Sequence, residues 1–375
     1  MIRKSDIQWW LLEANKHPES VPTIIEELAR RLVELDAENE KLRNENLKLR
    51  RRSARATTSK EVETLQHRVQ TLTGLLERQG TQGATLVLMG EGTAAARLAL
   101  SSALDLAQHH GQALHQQAAL QLRSALLLQP GDDLLVLTTR GRGFWLQGAD
   151  LPTLPEDGNW PDAAIPSLEA GEQVAAAASV RDRPRFWTVV TRRGYVQRFV
   201  RVAFEQKLAQ GDQLVQSPLR HDEPAVIVDG DRSELLLVSR WGQALRFSQR
   251  IIEPQGSVAI DLESGDDVAA ALALPSDCDI VLATASGGAL RRNTAAVSPR
   301  SKLSAPGRPL IQAHDVMAVF PHNPHSQLLY LTSTGKLAAA SLSGLPQQDR
   351  ASRGTGVCDL ARDPAIAVVC ATEGL

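Results

Sequence analysis

Arginine recurs at one offset from a repeated glycine. Arg198, Arg246 and Arg291 each lie four residues after Gly194, Gly242 and Gly287. Arg192 and Arg193 precede the first of these glycines, Arg240 precedes the second, and Arg292 follows Arg291. A guanidinium is a permanent cation with five donors in a planar fork, a geometry that grips phosphate oxygens. A single surface arginine is usually solvated or paired with a carboxylate. Three at the same repeat offset point to a shared task, phosphate contact.

Local charge supports that assignment more than the chain average does. The whole chain has a formal charge of -2. Residues 181–250 hold 13 Lys and Arg against 8 Asp and Glu, and residues 286–310 hold 5 basic residues and no acid. Residues 84–180 hold 4 basic against 10 acidic residues. Phosphate responds to the local potential, so a basic arc on an otherwise acidic body is compatible with nucleic-acid binding.

Other chemistry is poorly represented. The 9 histidines are scattered, no nucleophile–base–orienter set stands out, and there is no GxxxxGK(S/T) phosphate loop. Gly90-Glu91-Gly92 reads as a turn before a hairpin. Three cysteines, Cys278, Cys358 and Cys370, form neither a disulfide framework nor a zinc spacing. The chain is expected to be non-catalytic, without cofactor or metal. No apolar run is long enough to span a bilayer and residues 1–20 lack a leader pattern, so a cytoplasmic, nucleoid-associated protein with no membrane partner is expected.

The elements that carry the arginines form a repeat. Six glycines, Gly92, Gly141, Gly194, Gly242, Gly287 and Gly335, interrupt apolar runs at intervals of 45 to 53 residues. Five have Thr or Ser three residues earlier; the first has Met89. A second motif, LxxG(D/E)x(V/L), interleaves at Leu128–Leu134, Leu168–Val174, Leu208–Leu214 and Leu262–Val268, with degenerate copies at Ile311–Met317 and Leu360–Ile366. Each unit then holds about four strands, the content of a propeller blade. A blade cannot bury both faces alone, so six units predict an all-β six-bladed propeller over residues 84–375. Trp145 and Ala339 replace the arginine in the second and sixth copies, and Arg97 is one residue out of step in the first.

Preceding the ring, residues 1–18 predict a short amphipathic helix carrying Trp9-Trp10-Leu11-Leu12, and residues 20–80 a coiled coil in two helical segments. In the first segment Ile25, Leu32, Asn39 and Asn46 fall at a, and Leu28, Leu35, Leu42 and Leu49 at d. Leu at d favours two strands, and Asn at a fixes register in a parallel pair. Thr23-x-x-Glu26 is read as the box that starts this helix, after Pro22. A second segment begins at Thr58-x-x-Glu61 and repeats Val62, Leu65, Val69, Leu72 and Leu76. Arg50 to Ser59 between them is out of phase, so a parallel homodimer competes with an intramolecular hairpin. The Arg50–Arg55 cluster follows the zipper, unlike the basic region of a basic-region zipper. It reads equally as a solvated linker or an auxiliary phosphate contact.

LLLVSRWGQALRF (Leu235–Phe247), IIEPQGSVAIDLESGDDVAAAL (Ile251–Leu272), TVVTRRGYVQRF (Thr188–Phe199) and SRGTGVCDLARDPAIAVV (Ser352–Val369) resemble the repeat of the C-terminal domains of DNA gyrase A and topoisomerase IV. The resemblance spans residues 84–375. It implies a β-pinwheel, a propeller whose neighbouring blades exchange a strand, and a basic rim that binds and bends duplex DNA without sequence preference. On that template the contacts fall to Arg192, Arg193, Arg198, Arg240, Arg246, Arg291 and Arg292. The family's catalytic tyrosine domain and its Gln-Arg-Gly-Gly-rich box are not recognisable here, and Tyr195 and Tyr330 belong to blade strands. A DNA-binding protein that assists a topoisomerase or organises the chromosome is the expectation. A protein-interaction propeller that has lost DNA binding is the alternative.

Overall fold

The computed structural model describes residues 4–56, 83–161, 168–275 and 277–372. The chain divides into two compact units, Met1–Gly80 and Thr81–Leu375.

In the first unit, α1 (Lys4–Lys16) leads through a 3-10 turn (Pro18–Ser20) into α2 (Val21–Ala56). The long helix begins at Val21, two residues ahead of Thr23, which corrects the expected start. Pro22 fits because the first turn leaves its backbone nitrogens without helical acceptors, so a missing N–H costs nothing. Glu27 bridges Arg30 and Arg31 one turn on, and Arg30 reaches Glu34 at 2.5 Å, the three- and four-residue spacings that bring side chains together on a helix face. Trp10 is buried, with the Arg31 guanidinium 5.3 Å from its ring centre, while Trp9, Leu11 and Leu12 stay exposed. The heptad positions Ile25, Leu32 and Leu42 are 59%, 62% and 57% exposed. Helix α2 continues through Arg50–Arg55, the stretch read from sequence as a linker. The expected second helix, from Thr58 to Leu76, lies outside the described residues.

The second unit is a ring of six blades. Blade 1 holds β1 (Thr85–Met89), β2 (Ala95–Ala99) and β3 (Ser124–Leu128); blade 2 holds β4 (Asp133–Thr138), β5 (Gly143–Gln147) and β6 (Val174–Val180). Blade 3 is built from β7 (Phe186–Thr191), β8 (Tyr195–Val200) and β9 (Pro224–Asp229). Blade 4 has β10 (Glu234–Ser239), β11 (Gln243–Ser248) and β14 (Val268–Leu274), with the short β12 (Ser257–Val258) and β13 (Ile260–Asp261) between the last two. Blade 5 has β15 (Asp279–Thr284), β16 (Gly288–Asn293) and β19 (Val316–Pro321), separated by β17 (Ala305–Pro306) and β18 (Arg308–Pro309). Blade 6 has β20 (Ser326–Thr332), β21 (Leu337–Ser341), β22 (Thr355–Gly356) and β23 (Ala365–Thr372). Three short helices, α3 (Leu100–Gln108), α4 (Gln116–Leu120) and α5 (Arg201–Gln210), interrupt the sheet.

The first strand of each blade is the central one and is mostly apolar along its middle, because neighbouring blades cover both of its faces. Six apolar clusters fill the six gaps. Leu135 and Leu137 of blade 2 meet Trp187 and Val189 of blade 3, and Leu329 and Leu331 of blade 6 meet Leu86 and Leu88 of blade 1. That last cluster closes the ring. Strands β3, β6, β9, β14, β19 and β23 touch in cyclic order, with β23 returning to β3.

Strand exchange links the blades further. β12 leaves blade 4 to pair with β8, β18 leaves blade 5 to pair with β11, and β22 leaves blade 6 to pair with β16. The repeat glycines are the docking points. The carbonyls of Gly141, Gly194, Gly242, Gly287 and Gly335 accept from the amides of Leu214, Ala259, Leu310, Val357 and Leu114, each carried by the next blade's segment around the ring. All five have positive φ, and a Cβ at Gly242 or Gly335 would stand 2.3 or 1.9 Å from a carbonyl oxygen of that incoming segment. Only glycine allows the backbone so close. Residues 111–115, from the first blade, make the contact at Gly335, so the two ends of the repeat array lock together.

The Thr or Ser three residues before each of these glycines closes the turn. Thr191 Oγ1 accepts from Tyr195 N–H, and Thr284 Oγ1 from Gly288 N–H. A carboxylate fixes the turn from the strand opposite: Glu172 for Thr138, Asp222 for Thr191, and Asp266, Asp315 and Asp363 for the amides of Trp241, Ser286 and Thr334. Two sequence copies of the LxxG(D/E) motif fall elsewhere. Leu128–Leu134 joins blade 1 to blade 2, and Gly211 ends α5 in the left-handed conformation, leaving the locking role in blade 3 to Asp222. Glycine followed by an acid suits any tight turn, so the short motif alone does not separate these uses.

Candidate nucleic-acid interface

Strand register places the repeat arginines in equivalent positions. Arg198 faces Thr188, Arg246 faces Leu236 and Arg291 faces Val281. Arg97 faces Val87 at the same place; in blade 1 it is the glycine that is displaced.

What these arginines touch is internal. Arg246 is 3% exposed, bonds Glu234 and Asp277 at 2.5 Å, and donates to the Thr294 carbonyl. Burial opposes its charge, but the hydrogen bonds to Asp277 and Glu234 outweigh that and push its pKa up. Arg291 grips Asp279 through Nε and Nη2 at 3.0 and 2.7 Å. Arg198 donates twice to the Gly230 carbonyl and lies 3.9 Å from the centre of the Phe186 ring, and burial lowers its pKa. In each case the partner on the neighbouring strand, Glu234, Asp279 or Phe186, stands twelve residues earlier. The offset therefore marks a cross-strand brace. Thr85 holds that place in blade 1, and Arg97 there has no ion pair among the described residues.

The remaining assigned arginines divide. Arg292 is 8% exposed and donates to the carbonyls of Leu310 and Asp349, with Nε unpartnered among the described residues and its pKa lowered by burial. Arg192 is exposed but paired with Glu223 at 2.6 Å and Asp267 at 3.4 Å. Arg193 and Arg240 sit at hairpin turns of blades 3 and 4, exposed and without ion pairs among the described residues.

A second set of cations lies on the outer edges of blades 4 and 5. Arg300 and Arg308 flank Lys302 on the segment that pairs with β11, anchored where the Arg300 amide donates to the Arg246 carbonyl and Arg308 pairs with Ala244. Arg350 and Arg353 occupy the matching segment on β16, between Gln347 opposite Arg291 and Thr355 opposite Ala289. None of the five side chains has an ion pair or hydrogen bond among the described residues, and all but half-buried Arg300 are exposed. The sequence signal for the first three was the acid-free run 286–310; the last two carry no signal until exchange brings their segment beside β16. The corresponding edge of blade 1 carries exposed Glu156 and Asp157, and that of blade 3 carries Arg250 with Glu253 and Asp261. No group of His, Cys, Asp and Glu able to hold a metal occurs among the described residues, and no helix of the described residues is long and apolar enough to cross a membrane.

Six blades, three of them completed by a strand from the next blade, and a closing contact between first and last blades define a β-pinwheel. No family model matches the chain. In sequence it is similar to the DNA gyrase A proteins of Haloquadratum walsbyi (28% identical over 163 residues, 40% of this chain and 19% of that protein) and of Salmonella typhimurium (22% over 251 residues, 64% and 28%). The matches thus span less than a third of either relative. In structure it resembles the DNA gyrase A C-terminal domain (TM-score 0.61, 17% identity, 76% of this chain and 99% of that one) and the C-terminal domain of DNA topoisomerase IV (0.55, 18%, 78% and 94%). The fold implied by the repeat sequence is the fold found.

Proposed function

We propose that the pinwheel binds duplex DNA, without sequence preference, along the outer edges of blades 4 and 5, and that it carries out no catalysis of its own. The observation that carries this reading is the run of five unpaired cations, Arg300, Lys302, Arg308, Arg350 and Arg353, on two adjacent exchanged edges. Arg193 and Arg240 extend the set toward blade 3. Likeness to the C-terminal domains of DNA gyrase and DNA topoisomerase IV supports DNA as the partner. Arg198, Arg246, Arg291 and Arg292 position the edge strands, and Arg192 reaches DNA only by exchanging its carboxylates for phosphate. Assistance to a topoisomerase or to chromosome organisation, in the cytoplasm, follows from the same reading.

Five phosphate contacts predict a log–log salt slope of about -4.5. Duplex binding measured across a salt series checks this. Replacing the five cations by Gln should flatten the slope and abolish binding, whereas Arg192→Gln should change little. Wild-type protein that binds no duplex at low salt would overturn the reading and leave the protein-interaction alternative, which the acidic edge of blade 1 favours.

The same proposal makes the protein a parallel homodimer through α2. In the heptad frame the g and following e′ positions pair Arg31 with Asp36, Glu38 with Arg43 and Glu45 with Arg50, all opposite in charge. Arg31 also holds Glu27 and Trp10 in its own chain, so the other two pairs carry most of the argument. The interface comprises Ile25, Leu28, Leu32, Leu35, Asn39, Leu42, Asn46 and Leu49. Sedimentation of the full chain at twice the monomer mass, reverting to monomer in Leu35→Lys/Leu42→Lys, is the expected result.

A further inference from the structure

We propose that the dimer bridges two separate DNA duplexes, each held by one ring, instead of winding a single duplex around a ring. This rests on the DNA-binding reading above.

The charge distribution around the ring carries the argument. The outer edges of two adjacent blades of the six carry a net positive charge: Arg300, Lys302 and Arg308 without an acid on blade 4, and Arg350 and Arg353 with Asp349 on blade 5. On one side, blade 3 offers Arg250 but adds Glu253 and Asp261. The outer edge of its neighbour, blade 2, is α5, where Arg201 and Lys207 are balanced by Glu205 and by Asp212 just beyond it. Beyond it stand Glu156 and Asp157 on blade 1. On the other side, blade 6 is bordered by α3 and residues 109–115, whose ionisable side chains are Asp105, His109, His110 and His115. A duplex that leaves blades 4 and 5 in either direction meets edges with no net positive charge. Bending it further costs about 1–6 kcal/mol for each 40–90°, and edges whose cations are matched or outnumbered by acids offset little of that. The duplex therefore leaves the ring nearly straight after a short contact.

A parallel zipper joins two such short contacts. Each ring is filled by one duplex, and the second ring is held nearby at an effective concentration on the order of millimolar. A second duplex then meets a high local concentration of an identical arc. Arrays of crossing or adjacent duplexes, as in compacted DNA, are the substrate such a protein fits.

A capture assay tests this. Biotinylated duplex of about 150 bp, near one persistence length, is immobilised with the full-length protein and a fluorescent duplex of the same sequence is added. Wild type should retain the fluorescent duplex. Leu35→Lys/Leu42→Lys should bind either duplex alone but retain about tenfold less of the second. A mixed dimer of wild-type and Arg300→Glu/Lys302→Glu/Arg308→Glu/Arg350→Glu/Arg353→Glu chains keeps the zipper intact and should fail in the same way. If wild type binds a single duplex yet captures no second one, or if the mixed dimer captures as well as wild type, bridging is wrong while DNA binding stands. If no duplex binds at low salt, the DNA-binding reading itself fails.

Discussion

At the scale of single residues, equivalence in a repeat is not equivalence in function. The arginines at the repeat offset do share one place in space, as their spacing implied, but that place is the flank of a neighbouring strand. Arg246→Ala would strand Glu234 and Asp277 and remove one of the two donors to the Thr294 carbonyl, leaving the Val297 amide. Because both carboxylates keep some access to water, we expect a loss of about 2–3 kcal/mol, read by urea denaturation, against less than about 0.5 kcal/mol for exposed Arg193→Ala. Glu172 gives the pH counterpart. Burial alone would raise its pKa, but Arg142, Thr138 and the Glu169 amide hold it down at about 2, from 4.5. Its folded pKa is depressed, so its stabilisation is complete above pH 4.5 and is lost as pH falls toward 2. Glu172→Gln should lower stability at neutral pH and flatten the acid limb of the stability curve in that window. The brace was readable in sequence only as a second correlation, an acid or aromatic residue twelve positions earlier, which register makes visible.

At the scale of elements, the glycines are the points where one blade receives the next. Six turns were legible because a turn glycine between apolar runs is a local signal. The exchange was legible only through the family resemblance, since it depends on segments far apart in the chain meeting at a carbonyl. Gly92 shows the difference: it has positive φ, yet a Cβ there would have no atom within 4 Å. Gly92→Ala should cost about 1 kcal/mol, the strain of the left-handed backbone. Gly335→Ala adds a collision with the Leu114 carbonyl at the ring closure. It should cost more than about 2 kcal/mol, and hydrogen exchange should rise at the amides of Ala113 and Leu114 more than in the core strands. Equal effects from the two substitutions would mean that the closing contact contributes little. The N-terminal helix carries the opposite lesson. Its heptad was plain in sequence, but Arg50–Arg55, set apart for being out of phase, is helical through Ala56 because high intrinsic propensity needs no apolar period.

For the whole molecule, fold and charge are set by different parts of the sequence. Apolar runs and turn glycines build a ring of six similar blades, whereas the exposed exchanged edges differ in charge from blade to blade. A ring that was basic all round would carry DNA through most of a superhelical turn. Here the edges with net positive charge belong to two blades, on the order of a third of the circumference, so on the proposed DNA-binding reading each bound protein should constrain roughly a third of a turn or less. Closing nicked circular DNA with ligase at saturating protein, then counting topoisomers, measures this directly. The expected change in linking number per bound ring is a small fraction of one. It should stay small when Glu156 and Asp157 are replaced by Lys, because blade 1 is not adjacent to the basic pair of blades. Substituting lysines for Glu253 and Asp261 should increase it, because blade 3 borders blade 4 and would lengthen the continuous basic edge by one blade. A full turn constrained by the wild-type ring would place DNA against edges with no net positive charge, and would require a binding surface other than the one assigned.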